Sequence, residues 1–263
     1  MLQNLGDTKG ALDAATKARD ISKAVLESNP DDIYWQRNLW KIDNRIGDVL
    51  LAQGRLDEAL AAYGEGPDIA KKLAQKELNN TLWQSDLSES HIGIGDVLKQ
   101  QGYLDKALSA YRDALAIDEA LALNDPGQRQ ELARINQRIG DVLTAQGHLD
   151  DALVPYSRCL AIMKALAQNN PSNTRVQRNL EASYNLIGYV LKPQGHLDDA
   201  LAAYREAHAI AKKLALSDRD NTLWRAIWRT ATGRLVPRLW RRVILTTRLP
   251  LIATASLSPS RWR

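Results

Sequence analysis

One block of residues returns four times, and this repetition constrains the fold more than any other property of the chain. It reads Ile46-Gly-Asp-Val-Leu-Leu-Ala-Gln-Gly-Arg-Leu-Asp-Glu-Ala-Leu-Ala-Ala-Tyr63, then recurs at Ile94 to Tyr111, Ile139 to Tyr156 and Ile187 to Tyr204, at intervals of 45 to 48 residues. Self-similarity at such a period marks a stacked array, in which each unit buries its apolar face only against its neighbours. Arrays of this kind present surfaces for binding and seldom catalyse.

Each unit reads as a helical hairpin. In the second, Asn79-Asn80-Thr81 offers side-chain oxygens to the unpaired amides of a helix start. Leu82, Leu87, Ile94, Val97 and Leu98 then share one face at helical spacing, which predicts an amphipathic helix ending near Gln101. Gly102 stands where a left-handed residue would close it. Leu104, Ala107, Leu108, Tyr111, Leu115 and Ile117 carry a second helix to about Leu121, and Asn124-Asp-Pro-Gly127 is turn chemistry.

Gly47, Gly95, Gly140 and Gly188 fall inside first helices, where glycine costs about 1 kcal/mol relative to alanine. A cost repeated at one position implies the close approach of a neighbouring group. Twelve residues on stand Ala59, Ala107, Ala152 and Ala200, and four further on Tyr63, Tyr111, Tyr156 and Tyr204. A large ring over a small residue of the partner helix would fix the hairpin angle.

At these positions the chain resembles the tetratricopeptide repeat family. Gly95, Ala107, Tyr111 and Ala114 fit the family's pattern, as do Gly140, Ala152, Tyr156 and Cys159, and Gly188, Ala200, Tyr204 and Ala207. The usual unit has about 34 residues, so the longer period here departs from it. Longer helices, as in kinesin-light-chain-like and many bacterial members, account for the excess. The resemblance implies an all-α, right-handed solenoid of antiparallel hairpins. Residues 1–30 read as a partial first unit, followed by repeats at about 31–79, 80–126, 127–172 and 173–220, with a basic tail at 221–263. Two faults are expected. Gly64-Glu-Gly-Pro67 and Pro155 should kink or break their helices, because proline removes a hydrogen bond and clashes one turn back.

Charge divides the chain. From Asn221 to Arg263 there are nine arginines and no Asp, Glu or Lys. Subtracting those nine from 35 basic residues leaves 26 against 31 acidic ones, so residues 1–220 carry about −5. After Asn221-Thr-Leu-Trp224, which matches Asn80-Thr-Leu-Trp83, the repeat pattern stops. The tail reads in three ways. It is an out-of-frame remnant of a further unit, a capping helix around 222–232, or a basic segment for anionic lipid or nucleic acid. Membrane and nucleic-acid partners are expected only through this tail.

Nothing in the chain resembles a catalytic constellation, a metal-ligand spacing or a phosphate-binding loop, so no enzyme activity, metal or cofactor is expected. His148 and His196 follow turn glycines and read as solvated. The recurring Leu-Asp-Asp/Glu suits acid at a helix amino terminus. The single cysteine, Cys159, excludes an internal disulfide, and the amino terminus has no signal-peptide character, so a reducing cytoplasmic setting is expected.

The resemblance further implies a concave groove lined by first-helix residues one turn either side of the glycine. By position these are Lys41, Asn44, Asp48 and Leu51, then Glu89, Ile92, Asp96 and Lys99. Arg134, Gln137, Asp141 and Thr144 follow, and finally Ala182, Asn185, Tyr189 and Lys192. Some family members clamp a terminal carboxylate with Lys and Asn. Here Asp48, Asp96 and Asp141 occupy the clamp asparagine's position and would repel such a ligand. Either the groove takes a neutral or basic, extended or helical segment, or each Asp pairs with an Arg or Lys of the adjacent repeat. The expected role is a non-catalytic interaction scaffold for a peptide or partner domain. The alternative is a truncated regulatory module of a larger signalling protein. Self-association through the array ends is a further expectation.

Overall fold

In this computed structural model the structure describes residues 7–64, 80–124 and 126–217, together with Thr222, Ala226 and Thr230. All regular structure among them is helical. In order, the helices are α1 (Asp7–Ser28), α2 (Ile33–Ala52), α3 (56–64), α4 (Thr81–Gln100), α5 (Leu104–Asn124), α6 (Arg129–Ala145), α7 (Leu149–Asn169), α8 (Thr174–Leu191) and α9 (Leu197–Ser217). A short 3-10 turn, Pro126–Gln128, leads into α6. The chain forms two compact units, Met1–Asn169 and Asn170–Arg263. The first holds α1 to α7. The second holds the α8–α9 hairpin, and of the tail only Thr222, Ala226 and Thr230 are described, each helical.

Local chemistry sets the helix ends. Asp32, Asn80 and Asn173 each stand in extended backbone and accept amides of the following first turn, Asn80 from both Leu82 and Trp83. At the other end Gly54, Gly102, Gly147 and Gly195 adopt φ of +73° to +84°, a region costly for any residue with a Cβ. The following amide then reaches back over the last turn, as in Tyr103 N–H donating to the Leu98 carbonyl at 2.8 Å. That bond satisfies an otherwise orphaned carbonyl and turns the chain into the second helix.

The mid-helix glycines are seats for the tyrosines. A Cβ built at Gly95 would lie 2.6 Å from Cε1 of Tyr111, and one at Gly140 would lie 2.6 Å from the same atom of Tyr156. Gly47 faces Tyr63 and Gly188 faces Tyr204 in the same way. Tyr63 is held on two sides, because Gly93 of the next hairpin also closes on its ring. These rings are buried, with Tyr111 fully enclosed and Tyr204 7% exposed. At the amino-terminal end the core joins Ile46, Leu50, Ala59, Ala62 and Tyr63 with Val97 of the following hairpin and Leu12 and Ala15 of α1.

Of the kink or break expected at Pro155, the break does not occur. Helix α7 runs unbroken from Leu149 to Asn169 with Pro155 buried inside it. Proline forfeits one backbone hydrogen bond, yet the packed side chains on either side keep the helix in register. The expected fault at Gly64–Pro67 lies outside the described residues apart from Gly64, as do the tail readings apart from the three positions named above.

Candidate functional site

Within the first unit, α2, α4 and α6 carry the groove positions, and their carboxylates are largely spoken for. Each Asp that follows the glycine accepts its own hairpin's tyrosine hydroxyl, Tyr63 to Asp48 and Tyr111 to Asp96 at 2.5 Å, Tyr156 to Asp141 at 2.7 Å. Burial and then the nearby carboxylates push the Tyr63 and Tyr111 phenols well above their ordinary pKa, so both remain donors.

Two of these carboxylates also bridge repeats. Arg138 of α6 grips Asp96 of α4 with two parallel bonds, Nε to Oδ1 at 2.8 Å and Nη2 to Oδ2 at 2.9 Å. Burial opposes the Arg138 charge, but the Asp96 hydrogen bonds and charge carry its pKa above the usual guanidinium value. Lys99 of α4 reaches Asp141 of α6 at 3.4 Å. Of the two alternatives left open by the sequence, adjacent-repeat pairing is present at Asp96 and Asp141. Asp48 differs, because the position matching Arg138 is Gly93 in the second repeat and the Tyr63 ring lies against it.

The remaining predicted residues divide by exposure. Lys41, Asp48, Arg134, Tyr189 and Lys192 are exposed and Gln137 is half-buried. Tyr189, at 60% exposure, is an uncovered ring on α8. Asn44 and Asn185 are buried. Asn185 donates to the backbone and side-chain oxygens of Glu181 one turn back, a contact that holds α8 itself together.

Other contacts tie the same helices. Arg37 of α2 clasps Asp86 of α4 at 2.6 and 3.1 Å, with its guanidinium carbon 5.2 Å from the Trp83 ring centroid. Trp40 donates its indole N–H to Ser90 at 2.6 Å. Gln101 bonds Asp57, and Gln146 bonds Asp105, at the hairpin turns.

Between α4, α5 and α6 lies a cavity of about 240 Å³ lined by Ser85, Ser88, Glu89, Ile92, Asp118, Glu131 and Arg134. Glu131 is paired with Arg134 at 2.6 Å. No ion pair reaches Glu89 or Asp118 among the described residues. Asp118 is 3% exposed, and burial pushes its carboxyl up to about 6, with Glu131 adding to the effect and the Ser88 hydroxyl and Arg134 opposing it. Glu89 is also raised, first by burial and then by Asp48, Asp86 and Glu131. Sequence reasoning passed over Asp118 and Glu131. A signal for Asp118 was present, since the same place in the third and fourth repeats holds Met163 and Ala211, both buried.

Among the described residues no group of three or more His, Cys, Asp and Glu could hold a metal ion, and no helix is long and apolar enough to cross a membrane.

Comparison with known proteins agrees with this architecture. Two tetratricopeptide repeat models match, at residues 88–121 and 181–218. No curated protein matches the chain in sequence. Among solved structures, BtubC (BKLC) from P. vanneervenii aligns with a TM-score of 0.58 at 17% identity, over 95% of this chain and 97% of that one. The apo form of RapI aligns at 0.59 and 13% identity, over 89% and 79%. MamA aligns at 0.50 and 17%, over 82% and 99%. At such identities the likeness concerns the fold, an all-α array of helical hairpins. The repeats themselves support a general role in protein–protein interaction. The paired helices and glycine-seated tyrosines are those of tetratricopeptide repeats, which the two models match at residues 88–121 and 181–218.

Proposed function

We propose that this chain is an interaction scaffold whose first unit holds an extended, basic segment of a partner protein along the face formed by α2, α4 and α6. The observation carrying this reading is how charge is consumed on that face. Arg138, Lys99 and Arg134 are each committed to a carboxylate, whereas no ion pair engages Asp48 or Glu89 among the described residues. Lys41 is the exposed cation that remains among the predicted groove positions of the first unit, among the described residues. A bound cationic segment meets attraction at Asp48 and Glu89, and an acidic chain end meets repulsion. Oriented, partly desolvated carboxylates contribute mainly to selectivity and association rate, with affinity coming from the covered apolar and backbone surface.

The test is fluorescence anisotropy of labelled lysine-rich and glutamate-rich peptides with the full chain and with an Asp48→Asn/Glu89→Gln variant. Lysine-rich peptides are expected to bind the wild type and to weaken about tenfold or more in the variant. The nine tail arginines can attract acidic peptides, but that binding would be insensitive to the groove substitutions. Lysine-peptide affinity unchanged by the double substitution would refute the reading.

A further inference from the structure

The cavity between the second and third repeats holds a feature that packing does not explain. Asp118 occupies a core position of α5, filled in the two later repeats by Met163 and Ala211, and is 97% removed from solvent. Isolating a carboxylate from water without a counter-ion costs several kcal/mol if it remains charged. The Ser88 hydroxyl lies beside it, and no cation pairs with it among the described residues. Yet the carboxyl faces a space of about 240 Å³ rather than packed side chains. Glu89 opens onto the same space. Glu131, opposite, is neutralised by Arg134.

We propose that this cavity is the anchoring subsite for a lysine or arginine side chain of the bound segment. The inference rests on the basic-segment reading above and adds the place where one cation is held. A primary ammonium or guanidinium entering the cavity meets Glu89 and Asp118 together and supplies the counter-ion that α5 lacks. The serines Ser85 and Ser88 offer further oxygens, and Ile92 packs against the aliphatic stem.

A consequence is competition between cation and proton. The charged groups lining the cavity are Glu89 from α4, Asp118 from α5, and Glu131 and Arg134 from α6, while Asp86 of α4 and Asp48 of α2 act on Glu89 from nearby. Asp86 is taken by Arg37. With the cavity empty, Asp118 carries its proton up to a pH of about 6, and a guest cation must displace it. Below that pH Asp118 is neutral and the site grips the cation less well.

Isothermal titration calorimetry with acetyl-tetralysine amide and the full chain tests this, at pH 5.0 and 7.5 and constant ionic strength. A group with a midpoint near 6 predicts about tenfold weaker binding at pH 5.0 than at 7.5. Asp118→Asn, which mimics the protonated form, should bind about tenfold more weakly than wild type at pH 7.5, with most of the pH dependence gone. Wild-type and Asp118→Asn chains with equal affinities and equal pH dependence would overturn the subsite and leave the groove reading intact. Absence of any tetralysine binding at pH 7.5 would overturn both. If Asp118→Asn does not fold, the wild-type pH dependence together with Glu89→Gln, at the cavity lining, gives the second test. Glu89→Gln should weaken tetralysine binding at pH 7.5, and an unchanged affinity would sink the proposal.

Discussion

Replacing Gly95 by alanine would set a methyl carbon 2.6, 2.8 and 3.0 Å from Cε1, Cδ1 and Cζ of Tyr111. In an ordinary helix the change is favourable by about 1 kcal/mol. Here the ring cannot retreat. Tyr111 is fully enclosed, Ala107 and Ala114 beside it in the helix are also fully buried, and its hydroxyl is tied to Asp96, which Arg138 holds from the next hairpin. Overpacking of this kind costs about 1–3 kcal/mol, so the net expectation is a loss of about 1–2 kcal/mol once the propensity gain is set against it. On a chain of this size that lowers the thermal midpoint by roughly 2–6 °C. Gly10→Ala is the matched control, because nothing lies within 4 Å of a Cβ at that exposed α1 position. It should stabilise α1 by several tenths of a kcal/mol to about 1. Circular dichroism melts and denaturant titrations of both variants read the difference. Hydrogen exchange should localise the Gly95→Ala loss to α4 and α5. A Gly95→Ala chain as stable as wild type would show that the ring seat has slack, and the account of the hairpin angle would fail.

The remaining expectations concern pairing, titration and helix integrity. Arg138→Met should destabilise the chain by about 2 kcal/mol, because Asp96 keeps a partly buried charge with its strongest donor removed; restoration by a further Asp96→Asn change would be read in the same denaturation assay. Asp118 has a folded-state pKa raised to about 6, against about 3.9 unfolded, so the folded chain binds more protons in that window. Its contribution is therefore most favourable at pH 4 or below and falls by on the order of 3 kcal/mol as pH rises past 6. The stability difference between wild type and Asp118→Asn should follow that curve, and a flat difference would refute it. Asn80→Ala, which removes the acceptor for Leu82 and Trp83 amides, should cost about 1 kcal/mol and fray the start of α4. Pro155→Ala restores a backbone donor inside α7 and should raise the melting temperature if the surrounding side chains tolerate the lost ring.

What could be read from the sequence was what is local and periodic. The hairpins follow from the 45-to-48-residue recurrence, the closing glycines from turn chemistry, and the caps from Asn80 and its counterparts. The seat of each tyrosine was announced by a glycine where glycine is unfavourable. The break expected at Pro155 failed because a local rule met tertiary packing: one lost hydrogen bond is small beside the contacts of a buried helix. The groove was only partly legible. Asp96 and Asp141 were marked as either ligand-facing or paired, and a single chain gives no means of choosing until the 42-residue separation between Asp96 and Arg138 is closed in space. Arg138 escaped notice because it lies two residues before Gly140, outside the positions one turn from the glycine. Asp118 could have been found by comparing second helices repeat against repeat, where it stands as a carboxylate in an apolar column.

The shared carboxylate of Asp96 also has a temporal meaning. It takes one bond from Tyr111, 15 residues downstream, and two from Arg138, 42 residues downstream. A ribosome extending the chain at about 5–20 residues per second delivers the tyrosine within about 1–3 s and the arginine only after about 2–8 s. During that interval the second hairpin can close but its end carboxylate lacks its cation, so the growing edge of the array carries negative charge. The third hairpin arrives bearing the counter-ion for Asp96, and until then like charge at the edge opposes end-to-end docking of two nascent chains.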